Sequence, residues 1–560
     1  MTSPSASVLP APAAWFAGID LLGPPDEVTR QIVERTRECV RQGSAWLEAR
    51  HRAGAGGHEG VAARAVLMDG LLRTLFELAV KRARILPAGR VALVANGGYG
   101  RGELSPGSDI DLILLHEETS RDAVEPLAHG VYYPLVDAGL EVGWSVRTVS
   151  ECLEVARADL RTCTALLDLR CLAGDEGLAA ALARALEREV IGPDREGFIR
   201  RKLEEQAERR EKSGSSVYML EPHVKEGEGG LRDIQTAIWI ARARFGGLDL
   251  RELQARGVVS EKERLAVERA LEFLWRVRNA LHYASGRKAD QLTFELQAKV
   301  AREFGYEDRP GHQGGEQFLQ AYYQVAAEVE YYSTLLIARA SRPGAGSTEI
   351  LPLAPGFTLS GGLIRADLEA LWWDPLNLLR AFALCQEHDA ELDSTTQEQI
   401  LAALPAAAPE LRASAEAARL FRSILGVRRG VARALRQMNR LQVLGAYLPE
   451  FGSLYCQVQY EMYHVYTVDQ HSIQAVEEIE RLRDGRAGEQ DPQLPALMAE
   501  VPAPEVLYLG ALLHDIGKGK GGDHEHRALD LLRQLRESGT VVPVILTMFG
   551  RTLRQIAQAK

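Results

Sequence analysis

The chain of 560 residues has few cysteines, no long apolar run and no excess of positive charge. Its six cysteines are scattered and form no Cys-x-x-Cys pair, so the sequence predicts neither a disulfide framework nor a cysteine-rich zinc site. Such cysteines are typical of reduced, mostly buried thiols, and we expect a cytoplasmic protein. Residues 1–15 are rich in Ser, Pro and Ala without a basic segment, which argues against a signal peptide.

The apolar runs are too short for a membrane protein. The longest, such as residues 541–549, fall well below the length of a membrane span, so we expect no membrane partner. The formal net charge is −11, which gives no general attraction to nucleic acid. We therefore expect no nucleic acid partner, and polymerase or tRNA-modifying functions are disfavoured. The length predicts three or four domains.

Residues 97–112 carry the clearest chemical pattern, Gly-Gly-Tyr-Gly-Arg-Gly-Glu-Leu-Ser-Pro-Gly-Ser-Asp-Ile-Asp-Leu. Apolar runs at 91–95 and 110–115 flank the glycines and predict a strand, a glycine-rich turn with one helical turn, and a second strand. Gly97 and Gly98 let backbone N–H groups approach a phosphate closely because they have no Cβ. The pattern therefore predicts a nucleotide-binding turn, although the stretch lacks the P-loop signature.

Two aspartates follow this turn. Asp109 and Asp111 are one residue apart on an extended segment, so their carboxylates point to the same face. Neighbouring carboxylates repel each other unless a cation lies between them, and Mg²⁺ is commonly bound by one or two carboxylates plus substrate phosphates. We predict that both aspartates bind Mg²⁺ and are catalytic. Ser108 either donates to a phosphate oxygen or caps the turn.

A third acidic residue is a weaker candidate. Residues 121–137 read as a helix, and residues 140–147 alternate like a strand. Glu141 lies on that predicted strand and is either a third metal ligand beside the aspartates or a carboxylate that faces solvent. The sequence alone leaves both interpretations open.

A second irregular segment interrupts the long helices predicted for residues 176–340. It reads Leu-Glu-Pro-His-Val-Lys-Glu-Gly-Glu-Gly-Gly-Leu-Arg-Asp-Ile-Gln over residues 220–235, and its proline and glycines are incompatible with a regular helix. Lys225 and Arg232 on such a segment are suited to binding a polyphosphate. A simple connector between helices is the alternative.

These motifs support a family resemblance. The Gly-Gly turn followed by Asp-x-Asp resembles the DNA polymerase beta-like nucleotidyltransferases. Together with the 220–235 segment it resembles the bacterial protein-PII uridylyltransferase/uridylyl-removing enzymes, with His223 where that family usually has Asn. The similarity covers roughly residues 60–530 and includes further matching positions at Leu281-His282-Tyr283, Gly286-Arg287, Asp290-Gln291-Leu292, Gln317-Phe318 and Tyr322-Tyr323. The resemblance implies transfer of UMP from UTP to a tyrosine of the PII nitrogen-regulatory protein.

Histidines cluster late in the chain, at positions 464, 471, 514, 524 and 526. His514 and Asp515 end an apolar helical run, and His471 lies upstream. Imidazoles and a carboxylate suit a divalent metal, which would be the second metal of this chain, with His524 as a further candidate ligand. The pattern resembles an HD-type metal phosphohydrolase domain, which in the named family removes uridylyl groups from PII.

This second pattern is incomplete. No histidine follows His526, and the only later aspartate, Asp530, lies one helical turn beyond it. HD domains normally use a downstream aspartate, and the C-terminal ACT domains of the family are not recognised in this sequence. We therefore expect a truncated or diverged HD domain, weak or absent uridylyl removal, and loss of control by glutamine.

The sequence as a whole predicts an α+β protein that is predominantly helical. Its predicted parts are an N-terminal helical segment (1–60), a small mixed-sheet nucleotidyltransferase domain (61–175), a helical uridylyltransferase-associated domain (176–340), a connector and helical scaffold (341–450), a partial all-α HD domain (451–540) and a divergent tail (541–560). Two alternatives to UMP transfer remain: a nucleotidyltransferase with another nucleotide or protein acceptor, and a PII-binding regulator with little activity.

Overall fold

The computed structural model describes residues 11–83, 90–118, 121–213, 217–246, 249–309, 313–341, 350–458, 467–485, 498, 501 and 503–517. By its internal contacts the chain divides into two compact units. The first unit comprises Met1–Val217, Glu221–Glu303 and Glu328–Ser341, and the second comprises Tyr218–Leu220, Phe304–Ala327 and Arg342–Lys560.

Helices make up most of the described chain. In order they are α1 (Pro12–Trp15), α2 (Pro25–Arg52), α3 (Gly57–Ala83), α4 (Gly97–Gly100), α5 (Arg121–Asp137), α6 (Val149–Ala158), α7 (Leu160–Leu167), α8 (Glu176–Leu186), α9 (Arg195–Ser213), α10 (Leu231–Phe245), α11 (Leu250–Ala255), α12 (Glu261–Ser285), α13 (Phe294–Glu303), α14 (Gly314–Ser341), α15 (Leu368–Trp373), α16 (Leu376–Glu387), α17 (Ser394–Ala413), α18 (Ala415–Gly426), α19 (Val431–Arg440), α20 (Val443–Tyr447), α21 (Pro449–Gly452), α22 (Val468–Arg483) and α23 (Pro504–Leu513). A π-helical turn (Glu187–Ile191) and a 3₁₀ turn (Gly192–Asp194) follow α8. The prediction of a predominantly helical α+β protein is confirmed.

The first unit is built around a four-stranded mixed sheet. Its strands are β1 (Val91–Ala95), β2 (Ile110–His116), β3 (Val142–Arg147) and β4 (Arg170–Gly174), in the order β3-β2-β1-β4. The β1 strand is antiparallel to β2 and β4, whereas β2 and β3 are parallel. The strand, helical turn and strand predicted from the glycine motif are thus observed as β1, α4 and β2.

Both faces of this sheet are covered, which explains why β1 and residues 112–115 of β2 are continuous apolar runs rather than alternating ones. Leu93 and Leu114 belong to a core that includes residues of α2, α3 and α5. Val94 and Ile113, which point the other way, belong to a core with residues of α6, α7 and α8. The sheet is therefore a rigid middle layer, and the chain that leaves its strands is held in a fixed position.

The turn between β1 and β2 is tightly packed. Gly97 has a φ of +55°, which favours glycine. Gly100 lies so close to the backbone carbonyl of Asp168 that any Cβ would overlap it. Arg101 extends the turn by pairing with Asp168 at 2.5 Å and Glu103 at 2.8 Å. The glycines of this motif thus have steric roles that are independent of ligand binding.

The second unit contains a small four-stranded sheet in a region whose sequence pattern predicts only a helical scaffold. The strands are β5 (Leu351–Ala354), β6 (Phe357–Ser360), β7 (Leu363–Ala366) and β8 (Glu391–Leu392), in that order. Gly361 and Gly362 both have positive φ and form the hairpin turn between β6 and β7. This Gly-Gly pair between two short apolar runs is the signal in the sequence that indicates the hairpin. Among the described residues, no helix combines the length and hydropathy that crossing a bilayer requires.

Candidate functional site

The two aspartates of the motif meet at one cavity of the first unit. Asp109 immediately precedes β2 and Asp111 is its second residue, and both line a cavity of about 520 Å³. Asp111 lies opposite Gly143 on the parallel strand β3, where a Cβ would overlap Asp111 Oδ1. Gly143 therefore makes the space in which the Asp111 carboxylate lies.

The charges of the pair are unequally stabilised. Burial, followed by the charge of Asp109, raises the pKa of Asp111. Burial would also raise the pKa of Asp109, but the hydrogen bond from Lys288, the neighbouring Glu141 side chain and the charge of Lys288 lower it overall. Lys288 Nζ lies 2.7 Å from Asp109 Oδ2. Asp109 Oδ1 is buried and accepts no hydrogen bond from the described residues, so it is a suitable ligand atom for a cation.

Glu141 lies beside this pair. The backbone N–H of Ile110 donates to the Glu141 carbonyl at 2.9 Å, which joins the start of β2 to the residue before β3. The Glu141 side chain lies close enough to Asp109 to lower the pKa of that carboxyl. Two carboxyl groups can share a hydrogen bond only if one is protonated, and otherwise they attract a cation. The structure thus brings Glu141 to the aspartates, just before the strand on which the sequence analysis placed it.

The glycine turn lines the same cavity. Gly97, Gly98 and Ser108 all contribute to its wall. Ser108 Oγ is buried and has no hydrogen-bond partner among the described residues, and the Ser108 N–H donates to the Ser105 carbonyl at 3.0 Å. The turn is therefore closed by backbone hydrogen bonding, and the Ser108 hydroxyl remains available as a donor.

The cavity wall is rich in positive charge, in contrast to the acidic chain as a whole. Six acidic side chains line it, together with nine basic ones: Arg101, Arg161, Lys202, Arg209, Lys212, Lys225, Arg232, Arg278 and Lys288. Lys225 and Arg232, predicted from the irregular segment, are both among them. Burial, and then the charges of Arg278 and Arg232, lower the pKa of Lys225 to about 8. Such a wall favours a multiply charged anion.

Arg232 is held in place before any ligand binds. Its guanidinium pairs with Glu226 at 3.1 Å and donates to Gln235 at 2.9 Å. It also lies over the Trp239 ring, 5.4 Å from the ring centroid. The irregular segment thus brings two cations, Lys225 and Arg232, to the cavity of the aspartates.

A hydrogen-bonded network fixes the loop that leads to Asp109. The Gly107 N–H donates to His282 Nδ1 at 2.8 Å, and His282 Nε2 lies 3.0 Å from Asp290 Oδ1. Because Nδ1 accepts, Nε2 carries the proton and donates to Asp290. Arg278 also pairs with Asp290 at 2.7 Å. The motif residues His282 and Asp290 therefore hold the turn in position.

Several residues of this site are not predicted by the sequence patterns. They are Lys288, Arg278 and Gly143, although Lys288 and Arg278 lie within or beside the matching positions at 281–292. The available signal was that Lys288 lies two residues before Asp290, which is one of the matching positions. Gly143 had none, since its role depends on the parallel pairing of two strands that are distant in the sequence.

The second unit contains the other candidate site. His471 on α22, and His514 and Asp515 at the end of α23, each offer a ligand atom, and these atoms lie within 4.8 Å of one another. His514 Nε2 is 3.2 Å from Asp515 Oδ2, and the two imidazole centroids are 5.3 Å apart. The structure thus brings together three of the four metal ligands predicted in this region.

The imidazole of His514 is oriented for metal binding. Its Nδ1 lies 2.7 Å from the Ala511 carbonyl, which can only accept a hydrogen bond. Nδ1 therefore carries the proton, and the lone pair of the neutral ring is at Nε2, the atom that faces Asp515. The fourth predicted ligand, His524, lies outside the described residues, as do His526, Asp530 and the predicted tail.

Comparisons with known proteins agree with this division of sites. Family models match as GlnD PII-uridylyltransferase at residues 197–337, uridylyltransferase GlnD third domain at 357–447, HD domain at 468–558 and the DUF294 nucleotidyltransferase family at 43–144. The HD match includes most of the segment that the sequence analysis sets apart as a tail.

Curated relatives are similar over most of the chain. A bifunctional uridylyltransferase/uridylyl-removing enzyme of Azospirillum brasilense is 36% identical over 519 residues, which cover 90% of this chain and 55% of the relative. The enzyme of the same name from Pseudomonas aeruginosa strain LESB58 is 38% identical over 441 residues, covering 78% and 49% respectively. The chain therefore spans about half the length of the curated relatives it matches.

Proposed function

We propose, from the premise that this chain is a member of the GlnD PII-uridylyltransferase family, that its first unit transfers UMP from UTP to a tyrosine of the PII protein. One observation carries the proposal. Asp109 and Asp111 line the same cavity as nine basic side chains, and the buried Asp109 Oδ1 has no hydrogen-bond partner among the described residues. A divalent metal and a triphosphate together would complement both features.

The donor set fits magnesium. Asp109, Asp111 and Glu141 offer oxygen ligands, which Mg²⁺ prefers, and substrate phosphates would supply others. When bound, the ion would offset charge on the triphosphate and on the departing pyrophosphate. The residues of the chain would then provide the anion site, with Lys225 and Arg232 as charged donors, Ser108 as a hydroxyl donor and the Gly97-Gly98 turn allowing close approach.

In the proposed transfer, the tyrosine oxygen forms a bond to the α-phosphorus of UTP. The bond from that phosphorus to the oxygen shared with the β-phosphate breaks, and pyrophosphate leaves with the electron pair. The hydroxyl proton passes to water or to a carboxylate of the site. The family name, rather than a base-specific contact, supports uridine as the nucleoside.

The test uses the chain with purified PII, Mg²⁺ and each of the four α-labelled nucleoside triphosphates. We expect label on PII from UTP, at a PII tyrosine identified by mass spectrometry. Equal labelling from ATP, or labelling of a different added protein but not PII, would favour a nucleotidyltransferase with another substrate. PII binding without any transfer would favour the regulator.

We also propose that the second unit binds a divalent metal at His471, His514 and Asp515. Such an ion would supply an activated water for phosphodiester cleavage, the chemistry of uridylyl removal. The expectation that removal is weak stays a prediction, and release of UMP from uridylylated PII tests it. A rate comparable with that of an intact bifunctional relative would contradict it.

A further inference from the structure

We propose that Lys288 is an internal cation of the aspartate site, which neutralises Asp109 before the substrate arrives and then pairs with the phosphates of the metal-bound nucleotide. The inference rests on the proposed function of the first unit. Lys288 thus has two successive partners, first Asp109 and then the phosphates. The affinities of the site for metal and for nucleotide therefore depend on each other.

Lys288 contacts Asp109 directly, and the contact is accessible to solvent. Lys288 Nζ lies 2.7 Å from Asp109 Oδ2, and both side chains are about 40% exposed, at 41% and 40%. The ammonium thus lies at the open side of the carboxylate, whereas Oδ1 on the other side is buried. A lysine at this position supplies part of the charge compensation that a divalent ion would otherwise supply.

The backbone of Lys288 is fixed relative to the aspartate turn. A Cβ on Gly107 would lie 2.8 Å from the Lys288 nitrogen and 2.9 Å from its Cα, so the two segments pack backbone against backbone. Two residues later, Asp290 is bound by Arg278 and His282. The start of the Lys288 side chain is therefore held in place, while its four-carbon stem can move the ammonium by rotation.

Arrival of a divalent ion at Asp109 changes the balance of charge. The ammonium and the metal repel each other if both remain on one carboxylate, so metal alone must displace Lys288 or bind beside it at a cost. A triphosphate in the same cavity offers Lys288 a new anionic partner. Metal without nucleotide should therefore bind weakly, and metal with nucleotide should bind much more tightly, which is positive coupling between the two ligands.

Binding of Mn²⁺, followed by electron paramagnetic resonance, tests this inference without relying on turnover. The background variant His471→Gln/His514→Gln removes the candidate metal site of the second unit. In that background we expect Lys288→Met to tighten Mn²⁺ binding without nucleotide by about tenfold, because a competing charge is lost. The same substitution should weaken binding of UTP in the presence of Mn²⁺ by about tenfold, because a charge-assisted phosphate contact is lost.

Two further variants serve as controls. Lys212→Met removes another lysine that lines the cavity but for which no hydrogen bond to either aspartate is found among the described residues, and it should leave Mn²⁺ affinity without nucleotide unchanged. Lys288→Arg keeps the charge and should remain close to the unsubstituted lysine in both assays. Circular dichroism checks that each variant is folded.

The opposite signs of the two effects distinguish this role from a structural one. Unchanged Mn²⁺ affinity in Lys288→Met, or weaker binding of both ligands, would overturn the inference. If Asp109→Asn/Asp111→Asn left Mn²⁺ binding intact in the same background, the proposed function would fail instead, because the metal would not be bound at this pair.

Discussion

The two candidate sites meet the problem of holding a divalent metal in different ways. The site of the first unit offers oxygen ligands in a cavity whose wall carries nine basic side chains. The site of the second unit offers two imidazoles and a carboxylate within 4.8 Å of one another. A site with few carboxylate ligands suits an ion that arrives with its substrate, because substrate phosphates supply further oxygen ligands. Imidazole ligands instead suit a transition metal that the protein holds more strongly. From this contrast we expect the proposed metal of the first unit to arrive with the nucleotide and the proposed metal of the second unit to be held by the protein.

The largest effect is expected from replacing the two aspartates, a change that separates the first site from the second. Asp109→Asn/Asp111→Asn should lower UMP transfer to PII by at least about 1,000-fold, because the loss of metal stabilisation amounts to several kcal/mol in the transition state. The measurement is incorporation of label from UTP into PII. Metal bound at His471 and His514 should be retained, since those ligands are untouched. Transfer that persisted would place the catalytic site elsewhere.

The next prediction tests whether the first site depends on the pairing of its strands. Gly143→Ala should lower UMP transfer by about 100-fold, because its Cβ would overlap Asp111 Oδ1 and displace the carboxylate. The backbone at Gly143 lies in a regular strand without positive φ, so the thermal unfolding midpoint should change little. Ser145→Ala, two residues along the same strand, is the matched control. Full activity of Gly143→Ala would show that the position of Asp111 is not critical.

The two sites also differ in how far the sequence alone predicts them. The first was predictable because Gly97, Gly98, Asp109 and Asp111 belong to one strand-turn-strand segment, in which local geometry fixes which side chains share a face. Residues brought to it from elsewhere were less accessible to prediction. Lys225 and Arg232 were found because a proline and glycines interrupt a helical region. No comparable interruption of a sequence pattern pointed to Lys288.

The fold follows the same rule. Continuous apolar runs and helical periodicity predicted β1, β2 and the long helices, since these signals are local. The small sheet of the second unit was missed because its strands have only two to four residues, too few for a periodic pattern to stand out among Ala- and Leu-rich helices. The pairing of β2 with β3, which brings Gly143 to Asp111, is a long-range contact that no local pattern specifies.

A smaller effect is expected from the second site. His514→Gln should weaken binding of Mn²⁺ or Zn²⁺ to the second unit by at least about tenfold, because it removes an imidazole whose Nε2 is oriented by the Ala511 carbonyl. Isothermal titration in the Asp109→Asn/Asp111→Asn background isolates this site. UMP transfer by His514→Gln in the otherwise unchanged chain should remain normal. Equal metal binding by both forms would mean that these three residues do not form a metal site.

The smallest expected effect is a pH dependence confined to the first site. Burial and neighbouring arginines lower the pKa of Lys225 to about 8, so its ammonium is present below pH 8 and lost as the pH rises above it. Apparent affinity for UTP should therefore fall several-fold between pH 7.5 and 9.5, with the midpoint shifted upward once bound phosphates stabilise the charge. Lys225→Arg should flatten this profile because a guanidinium stays charged throughout the range. Lys212→Arg, on the same cavity wall, should leave the profile as it is. If Lys225→Arg kept the full pH dependence, another group would control phosphate binding. The contrast between a first site governed by charged side chains and a second site governed by its metal ligands would then be weaker.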